Sequence, residues 1–509
     1  MATTILLGPP GTGKTETCLR TVEHHLERGV PPDRIGYFAF TRRANIEAKE
    51  RAMSRFRLSS NDLPYFKTLH SLAFGRMGIS RNQLMTEGDY AEVAKWLKVN
   101  PFYVTRSNEV DYGHGDKFLE LINIARVTQR PLRQVYNESP LRYTLDWNSL
   151  EYIDRGLREY KNSLERFDYT DLLDQFVRSG LSPRLEVLII DEAQDLSALQ
   201  WLMVNQLAER AQHVYIAGDD DQAIYRWAGA DVEQFIHKEG TVKVLNQSYR
   251  IPHSHHAISQ ELIRRVIDRR TKDFRPREEE GTVRWHRHSE EVDLSEGDWL
   301  LLSRTRRGAD QLEEEVRQRG YLYAYEGGGT ADAKAMEAVL LWERLRLNQR
   351  IDAESVRKVY AHMTPNKEVE SRHRMLPNVD NDNWLSMDDL IKNHGLLTTA
   401  PWREALTKIG DRQARYISAC LRKGESLDTK PRIIISTIHR AKGAQATNVL
   451  MTTDISKRKN LLWRQEDFDD EARVFYVGLT RAKRSLHLIH PMRSAGYAIP
   501  QGDACSRAA

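Results

Sequence analysis

Near the start of the chain, Gly8-Pro9-Pro10-Gly11-Thr12-Gly13-Lys14-Thr15 follows an apolar run at 3–7 and leads into a helical pattern beginning near Thr15. A strand that ends in a glycine-rich turn and resumes as a helix narrows the possible folds sharply. The glycines let backbone N–H groups close around an anion at a helix N-terminus, where the helix dipole favours negative charge. In that setting Lys14 can reach the β- and γ-phosphates of a nucleotide, and the Thr15 hydroxyl can ligate Mg²⁺.

Apolar, β-rich runs recur at 35–40, 187–190, 214–217 and 242–245, with helical patterns between most of them. This alternation predicts a parallel sheet with crossover helices. A second set at 299–302, 433–436, 449–452 and 485–489 predicts a second α/β core. Two stretches without strand alternation, 76–165 and 346–429, read as helical insertions. The expected organisation is a first domain at 1–75 and 166–250 with its insertion at 76–165. A second domain is expected at 251–345 and 430–509, with a short insertion at 346–429. A chain of 509 residues is too long for one compact core, which agrees with several units.

Composition excludes more than it identifies. No run of about 18 apolar residues exists to span a bilayer, and the N-terminus lacks the basic flank and apolar core of a secretory signal. The expectation is therefore no membrane association and a cytoplasmic location. Cys18, Cys420 and Cys505 show no metal-ligand or disulfide spacing. A net charge of +4 on a chain that is 29% charged gives only a weak pointer to an anionic partner.

A phosphate site of this kind also needs a carboxylate for the metal and a group that orients water. Asp191 and Glu192, at the end of the apolar run Leu188-Ile189-Ile190, supply both: Asp191 to hold Mg²⁺ and Glu192 to polarise the attacking water.

Further short motifs follow in a fixed order. They are Phe40-Thr41-Arg42-Arg43-Ala44, Thr68-Leu69-His70-Ser71, Asp191-Glu192-Ala193-Gln194-Asp195, and Gly218-Asp219-Asp220-Asp221-Gln222-Ala223-Ile224-Tyr225 with Trp227. After them come Gln247-Ser248-Tyr249-Arg250, Thr437-Ile438-His439-Arg440-Ala441-Lys442-Gly443 and Tyr476-Val477-Gly478-Leu479-Thr480-Arg481-Ala482. In this order, from residue 5 to about 490, the chain resembles superfamily 1 helicases of the UvrD/Rep type. The resemblance implies an α/β fold with two RecA-like parallel-sheet motor domains of the P-loop NTPase class, each with a mainly helical insertion. It also implies ATP and Mg²⁺ in the cleft between them.

Site roles follow from the same resemblance. Gly8 to Thr15 cradle the phosphates, Gln222 senses the γ-phosphate, and Gln194 supports the same cleft. Arg250 and Arg481 reach the γ-phosphate from the second-domain side, and Tyr249 stacks on the base. Gly443 lies on a nucleotide-facing loop, and Gln445 stands where a glutamate commonly contacts the sugar. Phe40, Tyr225 and Trp227 match positions that touch single-stranded DNA, while Thr41, Thr68, His70, His439 and Arg440 are candidates for backbone contact.

Some residues depart from the family pattern. Gly8 stands too near residue 1 for the glutamine-bearing segment with which close relatives read adenine, and Glu16 replaces an arginine that packs over the base. These departures weaken the expectation of adenine selectivity and leave GTP or relaxed nucleotide use as alternatives. Arg264, Arg265, Arg269, Arg270, Lys272, Arg275 and Arg277 form the densest basic run, read either as facing DNA or as a solvated face. His253, His255 and His256 lack acidic or cysteine partners at ligand spacing. The expected function is an ATP-driven 3′→5′ DNA helicase and translocase acting on single strands and single-strand/duplex junctions. An RNA helicase of the same superfamily and a protein-remodelling ATPase are the alternatives.

Overall fold

The computed structural model describes residues 2–102, 116–455, 465–491 and 496–501; Cys505 lies outside them. The chain forms two compact units, Met1–Glu279 with Arg464–Val477, and Glu280–Trp463 with Gly478–Ala509. The first unit therefore continues past residue 250, and it recruits a segment from late in the chain.

In the first unit, β1 (Ala2–Leu7), β2 (Ile35–Ala39), β3 (Phe66–Lys67), β4 (Val187–Asp191), β5 (His213–Gly218) and β6 (Thr241–Val244) form one parallel sheet. Its order is β3-β2-β4-β5-β1-β6. Every residue of β2 and β4 is buried, as expected of central strands covered by helices on both faces. Alternate residues serve opposite faces. Ile5, Leu7, Phe38, Leu188, Ile190 and Ile216 pack with helices Leu69–Arg76, Tyr169–Ser179 and Ala198–Ala208. Leu6, Tyr37, Ala39, Val187, Ile189 and Ala217 pack with helices Lys14–Glu27 and Arg42–Phe56.

Helices Glu87–Leu97, Lys117–Val127 and Trp147–Ser163 form a separate core around Val93, Leu119, Ile122, Leu150 and Ile153. Each starts on a side-chain cap, at Thr86, Asp116 and Asp146. Such caps are worth about 1 kcal/mol apiece.

The second unit holds β7 (Thr282–His286), β8 (Trp299–Ser303), β9 (Tyr323–Tyr325), β12 (Ile433–Thr437), β13 (Ala446–Thr452) and β14 (Ala482–Ile489) in a parallel sheet of order β7-β14-β13-β8-β12-β9. A small antiparallel pair, β10 (Ile351–Asp352) with β11 (Trp384–Leu385), lies within the inserted region. Unlike the first insertion, this one shares a continuous core with its sheet. Val356, Tyr360 and Leu390 belong to the same cluster as Leu301, Ile433 and Ile435. Both units are thus parallel α/β sheets with helical insertions. Among the described residues no helix is long and apolar enough to cross a membrane.

Candidate nucleotide and nucleic-acid sites

All six strands of the first sheet are parallel, so the turns that follow them gather at its carboxyl edge. That edge carries Gly8 after β1, Phe40 and Thr41 after β2, Thr68 after β3, Glu192 after β4 and Asp219 after β5. The sheet therefore assembles motifs that are far apart in sequence.

The Gly8 N–H donates to the Gly218 carbonyl at 2.9 Å, anchoring the phosphate loop to the end of β5. Gly11 and Gly13 both take φ 76°, a left-handed conformation that other residues reach only with strain. Space at Gly11 is also closed: a Cβ there would overlap Arg250 Cβ and stand 2.8 Å from Ser248 Oγ. The reason is the 247–250 segment. Ser248 Oγ donates to the Pro10 carbonyl at 2.8 Å, and the Tyr249 N–H donates to the Gly11 carbonyl at 2.9 Å. Within the loop, Thr12 Oγ1 donates to the Pro9 carbonyl at 2.8 Å. Helix Lys14–Glu27 then begins without a side-chain cap, leaving its first amides for an anion.

Lys14 Nζ lies 2.9 Å from Glu192 Oε1. Burial alone would lower the lysine pKa, but the Glu192, Asp191 and Asp219 carboxylates outweigh it and hold the group charged. Asp191 Oδ2 accepts two hydroxyls, Thr15 Oγ1 at 3.0 Å and Tyr37 Oη at 2.8 Å, while Oδ1 accepts the Glu192 N–H at 2.9 Å. Burial, then the neighbouring Glu192, pushes the Asp191 carboxyl up. Thr15 and Asp191 form an all-oxygen donor set, which suits Mg²⁺. Glu192 sits at φ 57°, a strained position for a residue with a Cβ.

Behind this pair the polar chain continues. Gln194 Nε2 donates to Glu192 Oε2 at 2.6 Å, and its Oε1 accepts the Asp219 N–H at 2.9 Å. Gln222 Nε2 donates to Asp219 Oδ2 at 2.6 Å. Burial pushes Asp219 up to about 6, against the opposing pull of Lys272. The structure thus joins Lys14, Thr15, Asp191, Glu192, Gln194 and Gln222 in one constellation. Arg250 belongs to the first unit, as its place in the 166–250 segment predicts, and packs against Gly11. Burial lowers its pKa, and Glu192 opposes that shift. Tyr249 is 74% exposed, with its ring available for stacking.

Of the three aromatic candidates for a nucleic-acid platform, Trp227 is exposed, at 55%, which excludes a core role. Tyr225 is buried and stacks on Phe40 at 5.7 Å. Thr41 and Thr68 cap the helices that follow them, accepting the Ala44 and Ser71 N–H groups at 3.2 Å. The His70 ring meets Tyr169 edge-on at 6.2 Å.

Two members of the basic run have a use that neither expectation covered. Lys272, with a side chain 1% exposed, lies 3.3, 2.6 and 3.1 Å from carboxylate oxygens of Asp219, Asp220 and Asp221. Arg269 forks onto both Asp221 oxygens at 2.7 and 2.6 Å. These two cations pair with the three adjacent aspartates, while Arg264, Arg265 and Arg275 remain exposed. From the late segment, Arg473 Nε donates to the Asp220 carbonyl at 3.0 Å and Nη2 to the Asp268 carbonyl at 2.7 Å. Sequence reasoning did not find Tyr37 or Arg473, and it misread Lys272 and Arg269. His255 is buried and His256 meets Phe274 edge-on at 4.7 Å; neither joins a candidate metal group among the described residues.

In the second unit, the turn after β12 carries half-buried His439 and exposed Arg440, then Gly443 at φ 88° and exposed Gln445. Arg481 is buried beside this turn, its Nη1 donating to the Ala444 carbonyl at 3.3 Å and its Nη2 to Thr480 Oγ1 at 3.2 Å. Gly443, Gln445 and Arg481 are therefore neighbours within that unit.

Comparison with known proteins adds two family matches. Residues 2–243 match the UvrD/REP helicase N-terminal domain, and residues 414–492 match the UvrD-like helicase C-terminal domain. Among curated proteins, the chain is 22% identical to the ATP-dependent DNA helicase PcrA of Bacillus subtilis (strain 168), over 95% of this chain and 80% of that protein. It is 26% identical to the putative ATP-dependent DNA helicase YjcD of the same organism, over 45% of this chain and 31% of that protein. A PcrA of Staphylococcus aureus is 22% identical, over 68% of this chain and 52% of that protein.

Proposed function

Because the chain belongs to the UvrD/Rep-like superfamily 1 helicases, with two family domains covering more than half of it, we propose that it is an ATP-dependent DNA helicase. In this reading it translocates 3′→5′ on single-stranded DNA, engages single-strand/duplex junctions and works in the cytoplasm. The observation that carries the reading is the constellation of Lys14, Thr15, Asp191 and Glu192 on the same sheet edge that bears Phe40, Thr41 and Thr68.

The residues divide the work as follows. Backbone amides from Gly8 to Thr15 hold the phosphates, with Lys14 leaving Glu192 for the β- and γ-phosphate oxygens. Glu192, released from that pair, accepts a hydrogen bond from the attacking water and orients it. Thr15 and Asp191 would hold Mg²⁺, which would offset charge on the phosphate oxygens. Gln222 senses the γ-phosphate and Gln194 supports the same cleft, both side chains being hydrogen-bonded to Asp219. The Arg250 and Arg481 guanidiniums stabilise the charge that spreads over the equatorial oxygens, and Tyr249 stacks on the base. Gly443 and Gln445 contact the nucleotide in this reading. Trp227, together with the stacked pair Phe40 and Tyr225, offers a stacking platform to bases. Thr41, Thr68, His70, His439 and Arg440 contact the strand backbone.

The test is ATP hydrolysis with Mg²⁺ at one stated salt concentration, with no polymer, single-stranded DNA, single-stranded RNA or duplex DNA. Strong stimulation by single-stranded DNA supports the reading and leads to a polarity assay on tailed duplexes. Preferential stimulation by RNA favours the RNA helicase alternative. Indifference to every polymer overturns the motor reading in favour of a protein-remodelling ATPase.

A further inference from the structure

We propose that Tyr37 is a positioning residue for the metal-holding carboxylate: its hydroxyl fixes the orientation in which Asp191 meets Mg²⁺ beside Thr15. It thereby sets how much Mg²⁺ the protein requires to hold nucleotide. The inference rests on the reading of Asp191 as that carboxylate.

Tyr37 lies in the middle of β2, fully buried, on the face that packs beneath helix Lys14–Glu27 with Cys18, Leu19 and Val22. β2 and β4 run parallel, with Tyr37 opposite Ile189 and Ala39 opposite Asp191. The ring thus starts two residues before the level of Asp191, and its length carries the hydroxyl to Asp191 Oδ2 at 2.8 Å. Its other face is fixed by Phe66, stacked at 5.3 Å with the ring planes 16° apart. Filling an apolar layer requires no hydroxyl, and burying one costs free energy unless it finds a partner. Here the hydroxyl is satisfied by an acid that the catalytic reading already needs. A phenol, whose ordinary pKa is near 10, is a donor at neutral pH.

The geometry divides the three donors on Asp191 by side. Thr15 approaches Oδ2 from the phosphate loop, and the oxygen of that hydroxyl keeps a lone pair for a metal while its proton rests on the carboxylate. The Glu192 N–H holds Oδ1 from the following turn. Tyr37 reaches Oδ2 from within the sheet, so it alone of the three belongs to an element that neither binds phosphate nor turns with Glu192. Groups that orient a metal-holding carboxylate from outside its coordination shell commonly change metal affinity about 10–100-fold when removed.

The experiment uses the full chain and Tyr37→Phe, which keeps the ring and its stacking on Phe66 and removes only the hydroxyl. Equilibrium binding of a fluorescent, non-hydrolysable ATP analogue is measured across a Mg²⁺ titration, with Asp191→Asn alongside. Unfolding midpoints are recorded in EDTA and in Mg²⁺ with nucleotide. The expected result is unchanged affinity for the analogue in EDTA, and a half-saturating Mg²⁺ concentration raised about tenfold in Tyr37→Phe. The rise in unfolding midpoint produced by Mg²⁺ and nucleotide should shrink in parallel. Parental Mg²⁺ dependence in Tyr37→Phe, with that dependence lost in Asp191→Asn, overturns the role of Tyr37 and leaves the site reading standing. A lower midpoint for Tyr37→Phe in EDTA with unshifted Mg²⁺ dependence marks a packing role only and overturns the proposal as well. Parental Mg²⁺ dependence in Asp191→Asn removes the site reading itself, and the inference with it.

Discussion

Replacing Lys272 by methionine keeps much of the side-chain volume and removes a charge that three buried carboxylates share. Removing one partner of a buried ion pair costs about 3–5 kcal/mol, because the remaining charge is left uncompensated. Arg269 still holds Asp221 in the variant, so the loss should fall near the lower end, about 3 kcal/mol at neutral to alkaline pH. The pH dependence has a definite sign. Asp219 is already pushed up to about 6 by burial, and Lys272 is the largest influence holding it from going higher. A carboxyl whose folded pKa exceeds its unfolded value favours the folded state in acid and loses that contribution as pH rises through the folded pKa. Without Lys272 the Asp219 pKa climbs further. The deficit of the variant against the parent should therefore be large at about pH 8 and smaller at about pH 5.5, by up to about 1.4 kcal/mol for each unit of additional shift. Pulse proteolysis across a urea series at both pH values measures it. Parental stability at the higher pH, or the same deficit at both, refutes the argument that Lys272 relieves carboxylate charge.

Three other expectations concern the nucleotide and strand sites. Glu192→Gln should lower turnover about 10²–10⁴-fold while nucleotide binding persists, and near-normal steady-state hydrolysis would remove Glu192 from the role of water-orienting base. Gly11→Ala places a Cβ on left-handed backbone, at about 1–2 kcal/mol, and into Arg250 and Ser248. It should abolish binding of a fluorescent nucleotide, and retention of parental affinity would show that the loop is free to open. Trp227→Ala should weaken single-strand binding by about 1–3 kcal/mol and reduce the base pairs opened per ATP, read from parallel unwinding and hydrolysis assays; unchanged coupling would count against a platform at Trp227.

The strands that the sequence announces most plainly are those buried on both faces, with the exposed edge strand β6 as an exception. β2, with Ile35-Gly36-Tyr37-Phe38-Ala39, and β4, with Val187-Leu188-Ile189-Ile190 before Asp191, are apolar runs. The strands it hides are sheet edges. β3 has two residues and β9 three, while β7, Thr282-Val283-Arg284-Trp285-His286, is partly exposed and owes its conformation to pairing with β14. The candidate site divides in the same way. Lys14, Asp191, Glu192 and Gln222 were legible because each sits in a compact motif whose neighbours state the backbone geometry. Tyr37 was not, since its role depends on a partner 154 positions away and its setting reads as ordinary core. Lys272 was misread as part of a basic stripe because its acidic partners, the nearest hydrogen-bonded one 52 positions earlier, are brought to it only by folding. Arg473 meets the Asp220 carbonyl across 253 positions, with no local pattern to signal it.

That contact bears on how the protein is made. The first unit includes Arg464–Val477, yet a ribosome synthesises the whole run Glu280–Trp463 before that segment exists. Domains generally fold as units while the chain emerges, but here the first unit lacks a piece of itself until residue 477 has been added. Through all that time the Asp220 and Asp268 carbonyls are without the guanidinium that later caps them. The order of synthesis is therefore not the order of completion: the nascent first unit waits, partly open to chaperones and proteases, for a helix encoded beyond most of its neighbour.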